Sequence, residues 1–494
     1  MNPRIVALPV DGRPVVREQV QWLVDAAGWQ LRTPPVAALG HLRTPADRRL
    51  LSDWLIDEAE QAEGFVISLD MLCYGGLVPS RFIEDSFEDL VQWLAVLFEI
   101  RQRYPAKPIY AFAATMRLSN NNVNEEEKLY WREHGETIWR WSFHRDRFEQ
   151  LGQPDDERVA EAAEAAIPAA IRQDYLLTRT RNYALTKLAL EMVEHGVIDR
   201  LILPQDDTAE YGFNIAERRQ LQAAVSERGL ADRVAIYPGA DEVIHTLCAH
   251  LHGRLSGTPA LRVYLHPSDP AHIVHLHALY EDRPVLESVS GQIAAVGGEI
   301  VTDVAQADLI LAVHTQGTAQ GDWAMRKPLA HAPGVAVHWY AQLLRWHEEG
   351  KRIAVADLAY ANGGDPLMIN ALAEALPLNC LAGYSGWNTA GNTLGGLLAQ
   401  CALCRSPDSS ANRHNLALRL LEDLLYQAVL RQTFRIGVDE SQLDAEARRV
   451  RIADLFMPFA EAFAQHHQLG YRVCDVYLPW DRSFEIGLRL EATA

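Results

Sequence analysis

Two pairs of adjacent acids, Asp206 with Asp207 in LPQDD and Asp241 with Glu242 in PGADE, are the residues whose types and spacing most directly suggest chemistry. Each pair closes a short apolar run, RLILPQDD at 200–207 and RVAIYPGAD at 233–241. A lone Asp after a strand reads as a helix cap or an Asx turn, because one carboxylate satisfies the open amides of the next helix. An adjacent pair leaves one carboxylate over. Two neighbouring carboxyls have their pKa values pushed apart, so that one keeps a proton while the other stays ionised. That division suits acid and base work within one site. Asp206, Asp207, Asp241 and Glu242 are therefore the catalytic candidates.

Other apolar runs end in polar residues in the same way. Asp11 and Arg13 follow IVALPVD, Asp70 closes GFVISLD, Arg117 follows PIYAFAA, His314 and Gln316 close DLILAVHTQ, Asp357 lies in RIAVADLAY, and Trp387 and Asn388 follow the strand of NCLAGYSGW. Glycine-rich stretches supply Arg81 in CYGGLVPSR, Asn362 and Asp365 in ANGGDP, and Asn392 in GWNTAGNTLGG. An aromatic face with amides and charged forks suits a pyranose. The substrate-binding candidates are thus Asp11, Arg13, Asp70, Arg81, Arg117, Asp357, Asn362, Asp365, Trp387, Asn388 and Asn392. Trp480, in LPWDRSF, reads equally as core packing. A second reading of the acids is a metal-dependent hydrolase of an amide or ester, with Asp206, Asp207, Asp357, Asp365 and His314 around a divalent cation. A third is a sugar-binding protein without turnover. The acids lack a neighbouring His pair, so no bound metal is expected.

The elements that must position these groups are nine runs rich in Val, Ile, Leu and Ala, each followed by a longer amphipathic stretch. Runs without polar alternation belong to strands buried on both faces, hence to mainly parallel sheets with helices on both sides. Nine strands exceed the number in a (β/α)₈ barrel. The expected layout is two α/β units, Rossmann-like or barrel-like, around a cleft. Residues 1–255 would form the first, carrying a helical insertion at about 120–196, and residues 256–400 the second. A helical C-terminal region, 401–494, would pack back on the core. Loops after parallel strands share one edge, so Asp11, Asp70, Asp207, Asp241 and Asp357 are expected around one pocket.

Composition sets the outer limits. Hydrophobic residues at 48% and charged residues at 22% match a chain that buries a core. The 46 Lys and Arg against 65 Asp and Glu leave a net charge of -19, which repels nucleic acid and anionic membrane surfaces. No apolar run approaches the roughly 20 residues that span a bilayer, and a cytoplasmic location is expected. Homo-oligomerisation is left open. The six Cys form no disulfide framework, and Cys401 and Cys404 read as core thiols at the end of a buried helix. His266, His272, His275 and His277 are irregularly spaced and read as decoration of a surface helix. No GxGxxG follows the first strand and no GxxxxGK[ST] occurs, so no nucleotide cofactor is expected.

Seven segments together carry a resemblance: LPVDGRP (8–14), SLDMLCYGGLVPSR (68–81), LPQDD (203–207), PGADE (238–242), ANGGD (361–365), GWNTAGNTLG (386–395) and LPWDRSFEI (478–486). Through them the chain resembles, over nearly its whole length, an uncharacterised bacterial family, a domain of unknown function seen next to sugar-transport and sugar-kinase genes. It departs at Gly12, where an acidic residue is expected. PGADEV is similar to the Gly-x-Asp-Glu-Val stretch of β-N-acetylhexosaminidases, which implies Glu242 as proton donor and Asp241 as the group orienting an acetamido substituent. LPQDD is similar to the strand-end Asp-Asp pair of hexosaminidases that work by substrate assistance. The resemblance implies a hydrolase of a small sugar, N-acetylated sugars included.

Overall fold

A computed structural model describes residues 2–329, 332 and 334–493. The chain divides into two units, one comprising residues 1–12, 29–244 and 280–282, the other residues 13–28, 245–279 and 283–494. The main division falls between Ile244 and His245, inside the helix Val243–Ser256. The residues after 400 belong to the second unit.

In the first unit a six-stranded sheet runs in the order β2-β1-β3-β4-β5-β6, from β1 (Arg4–Leu8), β2 (Gln30–Arg32), β3 (Gly64–Ser68), β4 (Ile109–Phe112), β5 (Arg200–Gln205) and β6 (Val234–Pro238). Every pairing is parallel. The apolar runs lie where both faces are covered: Ile5, Val6, Ala7 and Leu8 are all 0% exposed. Helices close over the faces by their own periodicity. In Arg48–Ala59 the buried residues are Leu51, Leu55 and Ala59, four apart along one stripe, and Asp47 starts the helix by accepting from the amides of Arg49 and Leu50. Removing such a side chain, as in Leu51→Ala, costs about 2–5 kcal/mol. The insertion is helical, Trp131–Leu151, Pro154–Ala166 and Ala169–Glu194, with a core that includes Trp131, Ile138, Trp141 and Tyr175.

In the second unit a five-stranded parallel sheet has the order β13-β11-β9-β7-β8, from β7 (Arg262–Pro267), β8 (Glu299–Ile300), β9 (Leu309–His314), β11 (Ile353–Asp357) and β13 (Gly383–Ser385). β10 (Gly321–Asp322) and β12 (Tyr360–Ala361) form a small parallel pair, and β14 (Tyr471–Tyr477) with β15 (Gly487–Ala492) an antiparallel one. In the C-terminal region Leu416, Leu420, Leu424 and Ala464 share a core with Ile310, Val355 and Tyr384 of the sheet. One stretch of it, Leu420–Leu430, is a π-helix between the α-helices Ser410–Arg419 and Arg431–Gly437.

The architecture is therefore mixed α/β with parallel sheets flanked by helices, and no closed barrel forms among the described residues. All nine expected strands are present, and β2 and β8, three and two residues long, are short edge strands. One expectation fails. His266 lies on β7, its ring stacked on Trp339, and His272 sits in the following turn beside the Asp269 carboxyl at 2.9 Å, so these histidines do not decorate a helix. Cys401 and Cys404 are free and buried on the helix Ala390–Leu403 and just past its end. Among the described residues no helix is long and apolar enough to cross a membrane.

Candidate functional site

Within the first unit the strand-end residues form a charged cluster built around two arginines. The helix Leu69–Tyr74 begins directly at the end of β3, because the Ser68 side chain accepts from the Met71 amide. Its first turn carries Asp70, 2% exposed, which accepts from the Ala114 amide at 2.9 Å. Burial pushes the Asp70 carboxyl up to about 7, against the pull of that amide and with the charge of Asp206 adding to the rise. A short turn, Pro79–Arg81, then brings in Arg81, whose side chain is 1% exposed. Its Nη2 donates to Asp206 Oδ2 at 2.8 Å and its Nη1 to Glu126 Oε2 at 3.1 Å.

Arg117, from the loop after β4, holds the neighbouring acid. Its Nη1 lies 3.2 Å from Asp207 Oδ2 and 3.0 Å from Glu126 Oε2, while its Nε donates to Glu127 Oε1 at 2.7 Å. Ser119 Oγ donates to Asp207 Oδ2 at 3.3 Å. The two acids of LPQDD are thus held apart by different guanidiniums. Asp207 has φ +35°, in the left-handed region that a side-chain-bearing residue rarely occupies, and strain of this kind gathers at functional sites. Burial pushes Asp206 up to about 6, opposed by Arg81 and reinforced by Asp207. Burial raises Asp207 as well, opposed by Arg117. Both remain reachable, with 13% and 21% of their side-chain surface exposed.

The second acidic pair has another setting. Asp241 and Glu242 are 4% and 2% exposed, just before the helix Val243–Ser256. A Cβ on Gly239, which has φ +131°, would lie 2.7 Å from Glu242 Cδ, so the Glu242 carboxyl is folded down onto the PGA turn. Asp11, 6% exposed, follows β1 of the same sheet. Of the five acids expected around one pocket, Asp11, Asp70, Asp207 and Asp241 follow strands of this sheet, and Asp357 ends β11 of the other.

The second unit gathers its own strand-end residues. His314, the last residue of β9, has Nδ1 3.1 Å from Ser268 Oγ and Nε2 3.1 Å from Asp365 Oδ2. Gln316 Nε2 donates to the same Asp365 oxygen at 2.7 Å. The Asp365 amide and the Tyr384 hydroxyl donate to Asp357 Oδ2, at 2.7 and 3.1 Å. Burial pushes Asp357 up to about 6, against the nearby His314. Burial is the largest single influence on Asp365 and raises it, but the hydrogen bond and charge of His314 together with the Leu367 and Met368 amides outweigh it and hold the carboxyl below its ordinary value. The loops bearing ANGGD and GWN meet through the Asn362 amide, which donates to Asn388 O at 2.7 Å, and both asparagines have positive φ, +60° and +55°. Asn392, on the first turn of the helix Ala390–Leu403, donates its amide to the capping Thr389 hydroxyl. A cavity of about 490 Å³ lined by Gln316, Tyr340, Leu367 and Met368 lies beside Asp365.

Three charged residues of this unit escaped the sequence reading. Arg419 donates to Asp423 Oδ1 at 2.9 Å and to Glu422 Oε2 at 3.3 Å, and Asp423 Oδ2 accepts from the Gly386 amide at 3.0 Å and the Ser385 hydroxyl at 3.2 Å. Burial pushes Glu422 up to about 8, opposed by Arg419. The available signal was the pair Glu422–Asp423 inside the apolar run LLEDLLYQAVL. The π-helix that carries it is a feature enriched at functional sites. Glu126 and Glu127 were missed for the opposite reason, since NEEEK resembles an ordinary solvated acidic run. The tryptophans singled out as sugar platforms carry cations of their own: Arg419 lies 5.5 Å over Trp387, and Arg13 and Arg482 lie 4.4 and 4.6 Å from the Trp480 ring. Among the described residues no group of three or more His, Cys, Asp or Glu is arranged to hold a metal ion.

These clusters, in an α/β chain with paired acids at its strand ends, draw Asp70, Arg81, Asp206, Asp207, Asp241, Glu242, Asn362, Asp365, Asn388 and Asn392 from the segments that carried the family resemblance. A family model described as protein of unknown function (DUF4127) matches residues 5–489. The chain belongs to that family. No curated protein matches it, hexosaminidases included.

Proposed function

We propose that the first unit hydrolyses the glycosidic bond of a small sugar, N-acetylated sugars included, with Asp206 and Asp207 as the working carboxyls. The observation that carries this reading is the adjacent pair held by different arginines, with Asp206 pushed up to about 6 so that it keeps a proton close to neutral pH. A carboxyl tuned in this way is the usual general acid of a glycosidase, and its ionised partner assists water or the developing positive charge of the sugar ring. In this mechanism Asp206 gives its proton to the leaving oxygen. Asp207, steadied by Arg117 and Ser119, acts as the base or stabilising carboxylate.

Charge narrows the substrate class. Two guanidiniums, Arg81 and Arg117, face four carboxyls, Glu126, Glu127, Asp206 and Asp207, so the cluster repels phosphoryl groups and suits a neutral polyhydroxylated ligand. The mechanism calls on no metal or cofactor. The test is a panel of nitrophenyl glycosides and N-acetylglycosides. The wild-type protein releases nitrophenol from at least one, and Asp206→Asn and Asp207→Asn each lose about 10²-fold or more in rate while keeping the wild-type circular dichroism spectrum. Full activity in both variants, or no turnover of any glycoside by the wild type, overturns the assignment.

A further inference from the structure

The second unit holds a cavity of about 760 Å³ that none of the candidate site residues named above lines. Its volume lies within the usual range of small-molecule sites, about 300–1,000 Å³. One wall is the helix Glu18–Ala26, which presents Glu18, Trp22 and Asp25 at the four- and three-residue spacing of a single helical face. The others come from the helix Ser410–Arg419, which supplies His414, and from β14 and β15, which supply Tyr471 and Arg489. Three aromatic rings meet there at steep angles: Trp22 and His414 at 4.5 Å and 88°, His414 and Tyr471 at 5.3 Å and 79°.

The polar edges of these rings are available to a ligand. Neither the Trp22 indole nitrogen nor the His414 ring nitrogens have a hydrogen-bond partner among the described residues, and neither atom set is sealed from solvent. Burial lowers the His414 pKa, which keeps the imidazole neutral near pH 7 and gives it one donor and one acceptor. The Tyr471 hydroxyl donates to Ser410 O at 2.9 Å and so retains lone pairs for an incoming donor. Unlike Trp387 and Trp480, Trp22 has no guanidinium or ammonium of the described residues over its ring.

Charge decides the ligand class. The carboxylates Glu18, Asp25 and Asp475 outnumber the guanidiniums beside them, Arg17, which lies 3.5 Å from Glu18, and Arg489, whose side chain is 75% exposed and lies 3.6 Å from Asp475. Asp25 and Ala26 also end their helix, at the negative end of its dipole. Aromatic faces beside carboxylates attract organic cations, and hydroxyl-bonding edges between them favour a polyol. We propose that this cavity binds an amino sugar in its protonated form. The proposal is independent of the carboxylate reading of the first unit.

Calorimetric titration of the full chain with glucosamine, glucose and N-acetylglucosamine tests it, using Asp207→Asn protein so that binding or turnover at the first-unit cluster does not obscure the signal. Glucosamine binds about tenfold or more tightly than glucose and N-acetylglucosamine, as expected for a cation on aromatic faces. Trp22→Ala abolishes the heat, and Asp25→Asn removes most of the preference for the charged sugar. Trp22→Phe, which keeps an aromatic face, retains binding and shows that the alanine variant has not merely lost the helix. Equal binding of glucose, no heat with glucosamine, or unchanged glucosamine binding in Trp22→Ala each overturns the proposal.

Discussion

Arg81 Nη2 and Asp206 Oδ2 meet at 2.8 Å across 125 residues of sequence, with the arginine side chain only 1% exposed. The same guanidinium reaches Glu126, so one buried cation ties the loop after β3 to the end of β5 and to the insertion. A cation so placed has no water to fall back on. Arg81→Ala therefore strips Asp206 of its paired guanidinium, leaves Glu126 to Arg117 alone, and costs about 3–5 kcal/mol in stability. The Arg81→Ala, Asp206→Ala double variant loses less than the two single losses added together, because each deletion removes the reason for the other's cost. Urea denaturation of the four proteins measures this. A single-variant loss within about 0.5 kcal/mol, typical of an exposed site, contradicts the buried pair.

Asp70 makes stability depend on pH in a defined direction. Its carboxyl is raised from 3.8 to about 7 in the folded protein, mainly by burial. Between these values the folded chain holds a proton that the unfolded chain has released. Stability therefore falls as pH rises from near 4 to near 7, and the fall stops above that window. Asp70→Asn keeps an acceptor for the Ala114 amide and removes the titration. Relative to wild type the variant is unchanged near pH 4 and gains up to about 4 kcal/mol by pH 8, the ceiling set by a three-unit shift at 1.36 kcal/mol per unit. Parallel thermal melts at pH 4.5 and 8 measure it, and a constant difference between the two pH values shows that Asp70 is not the titrating group.

The clusters show what a sequence makes visible and what it hides. Strands such as IVALPVD and GFVISLD were legible because burial on both faces enforces an unbroken apolar run, and their following Asp residues were legible by position alone. Asp206 and Asp207 stood out because they are adjacent. Arg81 and Arg117 were legible only as candidate binding residues; their pairing with Asp206 and Asp207, and the part of Glu126, depend on loops whose path no local periodicity encodes. β2 and β8 are too short to register against the background of turns. Glu422 and Asp423 were hidden inside a run that reads as core helix, because the charge pairing with Arg419 at three- and four-residue spacing is the same pattern a surface helix uses.

Two glycines of the second unit separate space from conformation. A Cβ on Gly364 would stand 2.7 Å from Asp357 Oδ2 and closer still to the Tyr384 hydroxyl, neither of which has room to retreat in a fully buried site. Gly396, on the helix Ala390–Leu403, has nothing within 4 Å of the same atom. Gly364→Ala therefore destabilises the protein by about 1–3 kcal/mol or more, the range for overpacking a well-filled core. Gly396→Ala stabilises it by about 0.5–1 kcal/mol through helix propensity. Chemical denaturation of both variants checks the contrast, and a neutral Gly364→Ala refutes the close approach of the ANGGD loop to Asp357.

The π-helical acids should part company when each is neutralised. Glu422, pushed up to about 8 by burial, carries its proton at pH 7, whereas Asp423 takes the shorter contact with Arg419 and two further donors, the Gly386 amide and the Ser385 hydroxyl. Glu422→Gln replaces a neutral acid by a neutral amide of the same reach, so stability near pH 4.5, where the unfolded chain also holds that proton, stays within about 1 kcal/mol of wild type. Because the raised carboxyl of Glu422 weakens the folded state as pH climbs from near 4.5 to near 8, the same variant gains on wild type across that window. Asp423→Ala behaves differently at every pH above the ordinary carboxylate range. It strands Arg419, 5% exposed, beside an acid that is itself protonated, and costs about 3–5 kcal/mol. Denaturation at pH 6, 7.5 and 9 distinguishes the two acids, and equal losses for Glu422→Gln and Asp423→Ala at pH 6 show that the proton is shared between them instead of residing on Glu422.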